Sequence, residues 1–225
     1  MEGEGGTGGA AAGRRALLRA AAAMAPLPAM PVLVPTAGGA AQAGPGPVRF
    51  RIMRAGSAIG VHEVALEASS GGRVAHTSVE IAVRIAGIVV YRYRHRFAET
   101  WSGEGRLLSV RSHLDRNGTV RTLEGRAEAG GFVVNGSEGA GRLPAEAAPL
   151  TWWDPAIFRR PLLFDPRTGR ALHLRVERRD LPGGAFVVAV AGDSDGTATY
   201  DAAGRWIAHA LTGDDGSTVT YEQIG

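Results

Sequence analysis

From Val48 onward, apolar and polar side chains alternate with a period of two, as in strands that bury one face and wet the other. Val48, Phe50 and Ile52 share one face, with Arg49 and Arg51 opposite. A turn over Gly56-Ser57-Ala58-Ile59-Gly60 leads to a second alternating run at His62, Val64 and Leu66, and Ser69-Ser70-Gly71-Gly72 predicts the next reversal. The strongest signal runs from Thr77 to Trp101. Val79, Ile81, Val83, Ile85, Val89, Tyr91, Tyr93, Phe97 and Trp101 all fall on odd positions, separated by residues that include Glu80, Arg84, Arg92, Arg94 and Arg96. Such a run exceeds an ordinary strand, so a bend, bulge or turn is predicted at Ala86-Gly87-Ile88.

Leu108, Val110 and Leu114 continue the alternation into an Asp115-Arg116-Asn117-Gly118 hairpin signal, followed by strands over 120–126 and 131–135. Gly136 to Arg170 loses the period, carries repeated prolines and the Trp152-Trp153 pair, and reads as one long loop with a helical turn near Pro155 to Arg159. Strands resume over 171–179, 185–191, 197–201, 205–211 and 217–222, with turns at Asp201 to Gly204 and Gly213 to Gly216. No stretch carries a helical period. The expected fold is all-β: an antiparallel meander forming a barrel or strongly curved half-barrel, with one long irregular loop. Thr100-Trp101 with Gly105-Arg106-Leu107 is echoed by Thr199-Tyr200 with Gly204-Arg205-Trp206. The echo reads either as a duplicated hairpin or as a recurring aromatic corner.

The first 43 residues follow a different grammar. Gly13-Arg14-Arg15-Ala16-Leu17-Leu18-Arg19 fits a twin-arginine export signal. An Ala-rich run broken by Pro26, Pro28 and Pro31 follows, and Ala41-Gln42-Ala43 supplies the small-x-small pattern of signal peptidase. The run is too short and too proline-rich to span a bilayer, so no integral membrane segment is expected. The expectation is a leader over 1–43 and a single β domain over 44–225. The twin-arginine translocase and signal peptidase would be its partners during export, and the destination periplasmic or secreted.

Composition narrows the chemistry. The chain has no cysteine, which removes disulfides, thiol nucleophiles and cysteine metal sites. Its net charge of +3 is all arginine, with no lysine. Arginine binds phosphate well, but Ala and Gly rise with it, as in a GC-rich genome, and the outward arginines at 84, 92, 94 and 96 read as a solvated face. No concentrated basic stretch favours nucleic acid.

Gly192-Asp193-Ser194-Asp195-Gly196 matches a nucleophile elbow, but a strand follows Ser194 where that motif needs a helix, so it reads as a polar turn. The same residues begin like a calcium loop and lack its later ligands. The six histidines have no short ligand spacing, so neither metal nor cofactor is expected. Glu99 and His95 share the inward face with Tyr91, Tyr93 and Trp101; a buried carboxylate near a histidine serves acid–base chemistry or a structural hydrogen bond. In the long loop, one of Trp152 and Trp153 is expected to plug the core while the other lines an opening.

These elements together resemble a family of exported bacterial proteins catalogued as a domain of unknown function. The residues carrying the resemblance are Gly60 and His62, Glu99 and Trp101, Gly105-Arg106-Leu107, Asn117-Gly118, Trp152-Trp153, Tyr200-Asp201 with Gly204 and Trp206, and Asp215-Gly216 with Tyr221. The architecture is also similar to LolA-like periplasmic half-barrels that shelter an acyl chain. The resemblance brings no catalytic residues. The expected function is non-enzymatic binding or carriage of a lipid or other apolar small molecule by Tyr91, Tyr93, His95, Glu99, Trp101, Trp152 and Trp153. The alternatives are an envelope accessory protein acting through protein contacts, and a hydrolase using His95 and Glu99.

Overall fold

The structure, a computed structural model, describes residues 47–213 and 215–224, and the expected export leader over 1–43, with its expected cleavage pattern, lies outside them. The first half of the chain forms eight strands: β1 (Val48–Arg54), β2 (Ser57–Ser69), β3 (Gly72–Ile85), β4 (Ile88–Ser102), β5 (Leu107–Arg116), β6 (Thr119–Glu128), β7 (Gly131–Gly136) and β8 (Gly139–Leu143). Three short strands follow, β9 (Ala148–Pro149), β10 (Leu163–Phe164) and β11 (Ala171–Leu172), with a 3-10 turn at Pro155–Arg159 between the first two. The chain ends in β12 (Leu174–Asp180), β13 (Phe186–Gly192), β14 (Gly196–Tyr200), β15 (Trp206–Thr212) and β16 (Thr218–Gln223).

Thirteen strands make one antiparallel sheet, in the order β12-β13-β14-β15-β16-β1-β2-β3-β4-β5-β6-β7-β8. It is a meander in which the first and last strands pair, Ile52 opposite Tyr221. The sheet does not close, because β8 and β12 remain its two edges. Laid flat it would be about 60 Å wide. Yet Phe50 of β1, Phe132 of β7 and Phe186 of β13 belong to one buried cluster, which requires the sheet to curl around it. The expected all-β meander is thus an open, barrel-like sheet. No helix among the described residues is long and apolar enough to cross a membrane.

Parity assigns the two faces as the sequence pattern requires. In β4, His95, Phe97, Glu99 and Trp101 are buried while Arg92, Arg94 and Arg96 are exposed. The long alternating run is a hairpin, turned by Ala86 and Gly87 at φ 47° and 81°. Ala55-Gly56 and Asn117-Gly118 make the same left-handed two-residue turn, the form that matches strand twist.

Three readings of the pattern need correction. The first turn is Ala55-Gly56, and the residues from Ser57 to Gly60 already belong to β2, where a bulge opposite Ile52 and Met53 disturbs the alternation. The stretch from Gly136 to Arg170 is not all loop. Gly139–Leu143 pairs with β7, and β9, β10 and β11 form a second, three-stranded sheet. The glycines of β8 and the two-residue lengths of the others leave no alternation to detect. The strand read over 171–179 is two strands belonging to different sheets, interrupted at His173.

The segment from β9 to β11 contributes Trp153, Ile157, Leu163 and Phe164 to the same buried cluster as the large sheet. Trp153 is 1% exposed and lies edge-on to Trp101, with ring centroids 6.5 Å apart. Burying such side chains contributes roughly 1.5–3 kcal/mol each. Arg73 ties the segment down by pairing with Asp154 and lying over the Trp153 ring, and Arg160 donates to the Gly105 carbonyl.

Candidate functional site

The interior has two unlike ends. The β2–β3, β4–β5 and β14–β15 turns lie at the end where Trp101, Trp153, Tyr200 and Trp206 pack. The β1–β2, β3–β4, β5–β6 and β15–β16 turns lie at the opposite end, as meander topology requires. There a cavity of about 550 Å³ remains, within the range of small-molecule sites. Val79, Ile81 and Val83 of β3 and Tyr91, Tyr93 and Phe97 of β4 form one wall. His209, Leu211, Val219 and Tyr221 of β15 and β16 form another, and Leu150, Trp152 and Arg167 contribute from the inserted segment.

Its polar groups are few. His95 Nε2 lies 2.8 Å from Ser112 Oγ, and the ring stacks on Phe97. Arg167 donates to both carboxylate oxygens of Asp165, and the Tyr93 side chain faces the same guanidinium. Burial pushes Tyr93 up to about 12 despite that cation. His62 and His209 flank Tyr221 at 5.6 and 4.8 Å. Among the described residues the Nδ1 atoms of both histidines have no hydrogen-bond partner, and both are buried within the wall.

All three histidines are held neutral. Burial lowers His62 to about 3, with the neighbouring His209 and His95 adding to the effect. Burial lowers His95 to about 4, helped by the Arg167 charge. It lowers His209 to about 4, against a hydrogen bond to the Thr197 backbone. The cavity is therefore a largely apolar chamber with neutral histidines, the paired Arg167 in its wall, and Arg54, Arg116 and Asp215 also in its lining.

The sequence-derived candidates divide between the two ends. Tyr91, Tyr93, His95 and Trp152 line the cavity. Glu99, Trp101 and Trp153 do not; they are packed into the other end, each at most 2% exposed. The adjacent tryptophans do point apart, Trp153 into the core and Trp152 against His209 at 4.4 Å. Glu99 Oε2 accepts from Trp101 Nε1 at 2.8 Å. Trp153 and Thr151 also face the carboxyl, but Glu99 Oε1 and Trp153 Nε1 close no hydrogen bond of ordinary geometry. Burial raises Glu99 to about 8, so it is largely protonated at neutral pH.

The pair named for hydrolysis does not meet. Four residues along a strand separate His95 from Glu99 by about 13 Å, and each has its own partner. Ser194 lies in the β13–β14 turn and touches the cavity rim. Asp193 and Asp195 in that turn accept from the backbone amides of His173 and Gly192.

His62, His209, Tyr221 and Arg167 belong to the cavity but were not among the sequence-derived candidates. His62 and Tyr221 sit on inward parity, though nothing local distinguishes them from core. Trp206 and His209 both point inward three residues apart, a break in parity beside the β14–β15 bulge. Arg167 arrives from the inserted segment, whose path no period reveals.

Fold and cavity define the class: an open, β-barrel-like domain around an apolar chamber. The chain belongs to the family described as Domain of unknown function (DUF6134), whose model matches residues 50–224. A beta-barrel-like protein of domain of unknown function DUF1849 from Brucella abortus has a similar structure, with a TM-score of 0.56 at 10% identity. The match covers 80% of this chain and 96% of that one. A DUF1089 family protein from Pseudomonas aeruginosa matches at a TM-score of 0.41 and 15% identity, over 64% of this chain and 86% of its own. At these identities the likeness to the Brucella protein is one of fold. No curated protein matches in sequence.

Proposed function

We propose that this is an exported, non-enzymatic protein that binds or carries an apolar or amphipathic small molecule. The observation that carries the reading is the chamber of about 550 Å³ at one end of the curled sheet. Its walls are aliphatic and aromatic, which favours transfer of an apolar body out of water. The separation of His95 from Glu99 supports binding over hydrolysis. The twin-arginine pattern supports a periplasmic or secreted location.

The test is to produce the chain with its own leader, purify the exported form, and combine native mass spectrometry with solvent extraction. A reproducible bound lipid or other apolar molecule is expected, and it should be absent from an Ile81→Trp variant that fills the chamber. A folded protein with the bare polypeptide mass that also takes up no added fatty acid or phospholipid would overturn the reading.

A further inference from the structure

The β3–β4 hairpin carries the most conspicuous exposed apolar group in the domain. Ile85, Ile88 and Val90 are 64, 69 and 51% exposed, around the Ala86-Gly87 turn. A bulge that sets Val83 opposite Tyr91 and Arg84 opposite Val89 shifts the parity beside the turn, so that Val90 joins Ile85 on the cavity side and Ile88 stands opposite Ile85. From Ile81 to Ala98 there is no acidic residue, and Arg84, Arg92, Arg94 and Arg96 are all exposed. Arg96 pairs with Glu80. Arg84 donates to the Gly87 carbonyl, which caps the turn and leaves its charge uncompensated. Arg92 forms no ion pair among the described residues, while Arg94 stands in register between Glu80 and Asp115 of the adjacent strands.

An aliphatic tip flanked by an excess of guanidinium groups, with Arg84 and Arg92 free of ion pairs among the described residues, matches a surface with an apolar interior and an anionic rim. Three aliphatic side chains on one narrow hairpin fall well short of the roughly 800 Å² per partner that a stable protein interface buries. A bilayer asks for less area: a few inserted aliphatic groups and several phosphate contacts act together. Ile85 and Val90 also line the cavity, so the chamber reaches the surface at this same tip.

We propose that the β3–β4 tip docks the protein on an anionic phospholipid bilayer. Ile85, Ile88 and Val90 enter the surface layer while Arg84, Arg92 and Arg94 meet lipid phosphates. The docking surface stands on the exposed side chains and their charge, independently of what the cavity holds. A protein that binds vesicles but carries no extractable ligand retains this inference and loses the carrier reading.

The experiment is flotation of the purified protein with two kinds of vesicle, phosphatidylcholine alone and phosphatidylcholine mixed with phosphatidylglycerol. Binding is expected to the mixed vesicles only and to weaken as salt rises. Replacing both Arg92 and Arg94 with Gln should weaken it by roughly thirtyfold, at about fivefold per arginine. Ile88→Ser should weaken it by about tenfold or more. Val176→Ser, exposed on β12 away from the tip, should change nothing. The folds of all variants are checked by circular dichroism, and every substituted side chain is exposed. No binding of the unaltered protein to mixed vesicles at low salt overturns the inference. So does binding that ignores both tip variants, or a solution dimer that Ile88→Ser dissociates, which assigns the tip to self-association.

Discussion

Glu99 shows how one inward polar residue is accommodated. It lies on the inward face of β4 beside Phe97 and Trp101, fully buried, with Trp101 Nε1 as its hydrogen-bond donor. Because burial raises it from 4.5 to about 8, the folded chain keeps its proton where the unfolded chain has released it. This contribution to stability is complete below pH 4.5 and is lost as pH rises through about 8. It corresponds to a loss on the order of 4–5 kcal/mol. Glu99→Gln keeps an acceptor for Trp101 and removes the titration, so urea unfolding should show a flattened basic limb. Glu99→Ala strands the indole N–H and opens space, and should cost about 2–4 kcal/mol at pH 6. Equal alkaline slopes in the unaltered and Gln proteins would assign that limb to another group. His95, four residues along the same face, was legible as inward and polar. Its partner Ser112 was not, because β5 pairing is a tertiary fact.

Among elements, the recurring aromatic corner is the most informative. Trp101 pairs with Leu107 beside a bulge at Leu108, and Tyr200 pairs with Trp206 beside a bulge at Ile207. Gly105 and Gly204 take φ of 75° and 77° in the two turns. The same bulged corner is thus built twice, both times at the cavity-distal end, which accounts physically for the sequence echo. Gly60 has a comparable local reason. It sits beside the β1–β2 bulge, and a Cβ there would stand 2.1 Å from the Glu80 carbonyl oxygen. That contact is backbone and cannot rotate away, so Gly60→Ala should destabilise the domain by roughly 1–3 kcal/mol in urea titrations. Gly118→Ala has open space and a strained φ only, and should cost about 1–2 kcal/mol. A neutral Gly60→Ala would mean that β2 and β3 can separate there without loss.

For the whole molecule, the buried histidines oppose Glu99. Their folded values are depressed to between about 3 and 4, so the stability they contribute is present above 6.5 and is lost as pH falls toward those values. Three histidines outweigh one carboxyl below pH 6.5, while Glu99 alone slopes the other way above it. Stability should therefore peak near pH 6–7 and fall on both sides. Thermal unfolding across pH checks this. His209→Leu should shift the acid limb to lower pH, and an acid limb unmoved by replacing any of the three histidines sinks the account.

Period-two alternation by itself determined the all-β class, the inward faces of β1 and of β4 from Tyr91 onward, and the turn at Ala86-Gly87, whereas the bulge beside that turn sets Val89, read as inward, opposite Arg84. A strand exposes its two faces in strict succession, and a left-handed turn selects small residues. The 3-10 turn at Pro155–Arg159 was legible for a similar local reason, as Asp154 caps it and Pro155 opens it. Tertiary structure alone decided which inward residues would be core and which would face empty space. Tyr93 and Trp101 share one strand face, but the inserted segment fills the end beside Trp101 and leaves the end beside Tyr93 hollow. Periodicity records which side of a sheet a residue faces. What stands opposite depends on how far the sheet curls and where a segment without a period comes to rest.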